Sequence, residues 1–196
     1  MNDFWLWFTT GFRHIIDWNG CDHICYIVCL AVLFPLQQWK QLLLLITAFT
    51  VGHSLTLALS TLHIISPSQK IIECLIPITI LSTAAYNIYF RNKKVKPLTF
   101  NYVLALVFGF IHGMGFSYLL KSLLGKNESI AGPLFSFNIG LEIGQMLIVV
   151  GVLFISVVFE SFFRVAKKDY EFYVSSTVFG IALLLLIQQI SLISYE

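Results

Sequence analysis

Five apolar runs, each long enough to cross a lipid bilayer, constrain this chain more than any other feature. They cover residues 41–62, 71–90, 100–124, 133–159 and 173–194. A helix needs ~20 mostly apolar residues to cross a hydrocarbon core ~30 Å thick. In lipid the backbone must satisfy its own hydrogen bonds, so such runs are helices. A closed barrel would instead need alternating segments of ~10 residues, a pattern this sequence does not contain. Short polar stretches separate the runs, among them Ser66-Pro67-Ser68, Arg91-Asn92-Lys93-Lys94, Gly125-Lys126-Asn127-Glu128 and Lys167-Lys168-Asp169. Composition agrees: 58% of the 196 residues are hydrophobic and only 11% charged, too few to coat a soluble surface. The net charge of +2 is small and its basic residues are scattered between apolar runs, which argues against nucleic acid as a partner. The expectation is an all-α polytopic transmembrane bundle, a single integral membrane domain over residues 1–196 with the lipid bilayer around it.

The N-terminal stretch is less regular. Residues 4–16 are aromatic and apolar but carry Arg13 and His14; Asp17-Trp18-Asn19-Gly20 is a break signal, and residues 21–36 resume as an apolar run of marginal spanning length. This reads as an interfacial or re-entrant half-helix, a break, and then a first span, for about six spans in all. With no Lys-rich start and no small-residue cleavage site, a cleaved leader is not expected. The distribution of Lys and Arg sets the orientation. With the loop at residues 92–98 cytoplasmic, Lys40, Arg91, Lys93, Lys94, Lys96, Arg164, Lys167 and Lys168 lie inside, and only Arg13, Lys70, Lys121 and Lys126 outside. Both termini are then outside. Cys21, Cys25 and Cys29 recur every fourth residue on one helix stripe. They read as small packing surface, or, if functional, as ligands for a softer ion such as Cu(I).

Ionisable groups within spans are costly and mark functional sites by default. Here they are Asp22 and His23 on the first span, His53 on the second, Glu73 on the third, His112 on the fourth and Glu142 on the fifth. At ~1.5 Å per residue, His53 and His112 lie ~10 Å from the outer face. Asp22 and His23 lie within ~5 Å of the outer start of their span, and Asn138 and Glu142 roughly 8 and 14 Å below theirs. Four helices therefore bring His, Asp or Glu to the outer half of the membrane. Imidazole suits Ni, Zn, Cu and Fe, and a carboxylate offsets the ion's charge. The expected ligands of a divalent ion of Ni or Zn type are His23, His53, His112, Glu142 and Asp22, with His14, Ser54, Thr56, Asn138 and Gln145 around them. Glu73 also reads as an interfacial residue, and His63 as a solvated span end.

At these same residues the sequence resembles a known family. Gly11-x-x-His14, Gly20-x-Asp22-His23, Phe49-Thr50-x-x-His53-Ser54-x-Thr56-Leu57, Gly109-x-x-His112-Gly113-x-Gly115-Phe116 and Asn138-x-Gly140-x-Glu142-x-Gly144-Gln145 look like the HupE/UreJ family of bacterial membrane proteins. The resemblance covers roughly residues 8–190. It implies a nickel permease or metal-handling protein of the bacterial inner membrane, with members found beside hydrogenase and urease genes.

Three function classes follow. A permease needs a way onward from the outer site, and Thr47 and Thr50 with Thr79, Ser82, Thr83 and Asn87 offer polar stripes toward the cytoplasmic side. Such hydroxyls are also common glue between membrane helices. An intramembrane zinc-dependent hydrolase would use three protein ligands with Glu142 as base. A structural or assembly subunit would use the same polar groups only to lock helices together.

Overall fold

A computed structural model describes residues 3–18, 21–91, 98–123 and 129–194. Its described residues form an all-helical bundle: α1 (Asp3–Ile16), α2 (Asp22–Ala31), α3 (Trp39–Thr61), α4 (Gln69–Tyr89), α5 (Leu98–Leu123), α6 (Ala131–Ser161) and α7 (Lys167–Ser194). A 3-10 turn, Leu36–Gln38, leads into α3. The five helices α3 to α7 are long and apolar enough to cross a membrane, and they take up the five runs read from the sequence. Three features of that reading lie outside the described residues: Asn19-Gly20 of the break signal, residues 92–97 of the loop used for orientation, and the 125–128 turn signal.

The stretch 21–36 departs from a single spanning helix. α2 stops at Ala31, and Pro35 sits extended at φ −70°, ψ 157°. Proline has no N–H to continue the ladder, and it disfavours helical backbone at the preceding residue, Phe34. The ten residues of α2 reach only ~15 Å, half of a hydrocarbon core. α1, with 14 residues, reaches ~21 Å. Two short helices thus stand in succession ahead of the five long ones.

The helices associate largely as close pairs, α3 with α5, α1 with α6 and α4 with α7, while α2 touches α1, α3, α4, α6 and α7. Glycine makes two of these pairs possible. A Cβ at Gly140 would overlap the Phe8 carbonyl oxygen, and one at Gly11 would overlap that of Phe137. On the other pair, a Cβ at Gly109 would strike the Phe49 carbonyl, and one at Gly113 the His53 carbonyl and the Thr56 hydroxyl. Gly109/Gly113 and Gly140/Gly144 both have the small-x-x-x-small spacing that lets membrane helices touch backbone to backbone. Polar links add to this: the Ser60 and Ser117 hydroxyls lie 2.7 Å apart across α3 and α5. Asn87 donates to the Cys29 carbonyl at 2.7 Å and to Ser175 Oγ at 3.3 Å, tying α4 to α2 and α7. Beyond it Arg91 pairs with Asp169 and lies over the Phe172 ring, 4.4 Å from its centre.

Two peripheral residues are explained locally. His63 adopts φ 59° just past α3, where the Ile64 N–H bonds back to the Leu59 carbonyl at 2.9 Å, a left-handed helix cap. Glu73 accepts Gln69 Nε2 at 2.8 Å, one turn away on α4.

Candidate metal centre

The close pairs carry the histidines. His53 is on α3, and its carbonyl lies against Gly113 of α5, next to His112. His14 is on the last turn of α1, and its ring is 5.9 Å from Phe137, the α6 residue whose backbone meets Gly11. His23 is on the first turn of α2. Four short sequence neighbourhoods on four helices therefore converge. Ring centres lie 4.2 Å apart for His23 and His112, 4.6 Å for His14 and His23, 6.1 Å for His14 and His53, and 6.4 Å for His23 and His53. His53 is fully buried and His112 nearly so.

Two overlapping sets have the geometry of a metal site, His14 with His23 and His53, and Asp22 with His23 and His112. Within each set the ligating atoms lie within 4.8 Å of one another. Nitrogens bound to one tetrahedral zinc ion at ~2.0–2.1 Å stand ~3.3–3.4 Å apart, so side-chain shifts of about 1.5 Å close either set. The Asp22 carboxylate accepts the His23 backbone N–H at 2.8 Å and the His23 Nδ1–H at 3.0 Å. A carboxylate only accepts, so His23 carries its proton on Nδ1 and presents Nε2 as a lone pair, the orientation typical of carboxylate–histidine–metal units. His112 Nδ1 stands 2.8 Å from that Nε2 and donates to it. This leaves His112 Nε2, His14 Nε2 and both nitrogens of His53 buried with no hydrogen-bond partner among the described residues. Each such atom costs ~1–3 kcal/mol when unpaired, and an ion would satisfy several at once. The donor set fits a divalent ion.

Aromatic rings wall the cluster. Phe116 is 4.2 Å from His14 and stacks on Phe137 at 4.6 Å, and Phe137 stacks on His53 at 6.0 Å. Phe108 stacks on His112 at 3.9 Å and on Tyr26 at 3.4 Å, with Phe49 alongside. Beside His14 opens a cavity of about 610 Å³ lined also by Thr10, Arg13, Asp17 and Phe116.

The other expected site residues belong to neither set. The Glu142 carboxylate accepts Thr47 Oγ1 at 3.0 Å. Gln145 Oε1 accepts Thr50 Oγ1 at 2.9 Å, so these four residues form a polar seam between α3 and α6. Ser54 bonds to the Thr50 carbonyl, and Thr56 to the Gly52 carbonyl, both within α3. Asn138 Oδ1 is buried without a hydrogen-bond partner among the described residues. Thr79, Ser82 and Thr83 bond to carbonyls of their own helix α4, which packs on α7, α5 and α2 and not beside the Thr47/Thr50 seam. Asn87 is held in its link to Cys29 and Ser175. The four cysteines are free thiols, and the two metal-site sets contain none of them.

Sequence reasoning placed His14 around the site; here it is part of a convergent set. The signal for this was the i, i+3 spacing of Gly11 and His14, which puts the histidine on the face that meets α6. The walls formed by Phe116, Phe137 and Phe108 carried no comparable signal among 18 phenylalanines.

Comparison with known proteins agrees with the motifs. Searches of the curated proteins and of the solved structures return no match. A protein-family model described as HupE / UreJ protein matches residues 1–192, nearly the full length, and the chain belongs to the HupE/UreJ family.

Proposed function

We propose that this protein is a divalent metal-ion permease of nickel type in a bacterial inner membrane. One observation carries the reading: unsatisfied imidazole nitrogens from separate helices meet where α1 ends and α2 begins. His23, His53 and His112 are the direct ligands, Asp22 orients His23 and supplies negative charge, and His14 adds a fourth imidazole. An ion that takes His23 Nε2 displaces the bond from His112, so loading rearranges the cluster. Taken together, α1 and α2 form one interrupted crossing, which with the five long helices makes six. Interrupted helices that meet at the substrate site are a recurrent device of membrane transporters. The Lys and Arg asymmetry puts both termini outside and the site in the outer half of the bilayer. The cavity beside His14 is the entry. Glu142 with Thr47 and Gln145 with Thr50 supply oxygen ligands for the next step inward.

The Tyr26–Phe108 stack favours a second reading, because closely packed rings stand against the cluster and would have to part for an ion to pass. A cavity open to one side suits an intramembrane zinc-dependent hydrolase. There His23, His53 and His112 would hold zinc, which supplies Lewis acidity, and Glu142 would act as base.

Glu142→Gln separates the two. It keeps the shape of the side chain but removes a charge that offsets ion desolvation. For a permease, radionickel uptake into proteoliposomes falls with Glu142→Gln and is abolished by His53→Ala. Uptake by wild type no greater than by empty liposomes, or equal in wild type and Glu142→Gln, removes the permease reading.

A further inference from the structure

A second concavity is distant in character from the histidine cluster. A groove of about 820 Å³ runs between α2 and α7, with Cys21, Cys25 and Val28 on one wall and Tyr170, Val174 and Ile181 on the other. No charged side chain among the described residues lines it. Thr177, in its wall, spends its hydroxyl on the Tyr173 carbonyl of its own helix at 2.9 Å. The groove exists because α2 is only ten residues long and leaves much of the α7 face uncovered; the apolar stretch of α7 is 11% buried against 33% to 50% for the other four long helices.

Its length and its end point to an occupant. From Tyr170 to Ile181 along α7 is roughly 17 Å, close to the ~15 Å depth of one leaflet of the hydrocarbon core. The Tyr170 end meets the connection between α6 and α7. There Phe162 and Phe163 are 85% and 63% exposed, the placement of aromatic residues at a membrane–water interface. Arg164 and Lys168 are exposed at the same end, beside the N-terminus of α7, whose helix dipole favours an anion. Carboxylates stand here too. Asp169 is paired with Arg91, and Glu160 and Glu171 flank the connection, so the feature to match is a discrete phosphate rather than a large excess of negative charge.

We infer that the α2–α7 groove is a phospholipid site: one acyl chain lies along α7 from Tyr170 to Ile181, and the lipid phosphate sits on Arg164 and Lys168. The lipid completes the packing that the short α2 leaves open, and so buttresses the helix that carries Asp22 and His23. The inference does not depend on which ion the cluster binds.

Native mass spectrometry of the full chain released from detergent tests it, after incubation with phosphatidylglycerol or with diacylglycerol of the same acyl chains. The expected result is one retained phosphatidylglycerol per wild-type chain and much less diacylglycerol. Thr177→Trp, which fills the groove, loses the adduct. Arg164→Ser with Lys168→Ser lowers phosphatidylglycerol retention to the diacylglycerol level; this pair lies outside the groove and is readable even if the tryptophan variant does not fold. Equal retention of the two lipids by wild type, or equal retention by wild type and the double variant, overturns the site. So does a wild-type dimer without lipid that Thr177→Trp turns into a monomer, because a second copy would then fill the groove.

Discussion

His53 puts two buried ring nitrogens among three other imidazoles without a hydrogen bond to any described residue, a choice that packing alone does not explain. A histidine kept only to hold helices together would bond across the interface, as Asn87 does to Cys29 and Ser175. Asp22 makes the contrast testable. Its carboxylate fixes the His23 ring through Nδ1, and loss of such a carboxylate typically lowers metal affinity 10–100-fold. Asp22→Asn is therefore expected to weaken metal binding by about that factor, measured by calorimetric titration, with the melting temperature little changed. An unchanged dissociation constant would mean that His23 does not ligate through Nε2. At this scale the candidate site was legible where chemistry is rare. His23, His53 and His112 stood out because ionisable groups seldom occur in apolar runs. Glu142 stood out by the same rule; it belongs to neither set, and its carboxylate accepts the Thr47 hydroxyl between α3 and α6, a contact that composition does not record. His14 was harder to rank, since it lies in an irregular stretch beside Arg13 and Asp17.

Helix pairing rests on a few glycines, and the structure separates those that are needed from those that are not. Gly113 lies against the His53 carbonyl and Thr56, while Gly132, Gly151 and Gly180 have nothing within 4 Å of where a Cβ would stand. Gly113→Val should force α3 and α5 apart, cost on the order of 3 kcal/mol, the upper end for an overpacked contact, and lower bound metal along with the melting temperature. Gly180→Ala should be neutral or stabilise by up to ~1 kcal/mol, because alanine is the better helix former. Thermal melts of the two variants in detergent check both; a stable Gly113→Val protein would contradict the close pairing. The long helices were legible because length and hydropathy suffice to define them. The end of α2 was not read, although Pro35 was in view, because an apolar run gives the same signal whether its helix is ten residues or twenty.

For the molecule as a whole, orientation and site depth stand or fall together. In the proposed orientation, with eight basic residues inside, the 92–98 loop is cytoplasmic and the histidine cluster lies in the outer half of the bilayer. A cysteine introduced at Lys94, in a background without the native thiols, should resist an impermeant maleimide in intact cells and react after permeabilisation. Labelling from outside would invert the molecule and move the entry to the cytoplasmic side. The bundle class was legible from the apolar runs alone, while the meeting of α1 and α2 at the cluster needed the fold, since their junction is a tertiary contact. The central claim is that this junction binds a metal ion, and the most direct measurement is the metal content of purified protein, wild type beside His53→Ala, after incubation with nickel and removal of free ion. One ion per wild-type chain and a near-complete loss in His53→Ala are expected, with the helical circular-dichroism signal of both proteins the same; equal metal content in the two, or none in either, would rule out a metal centre at this junction.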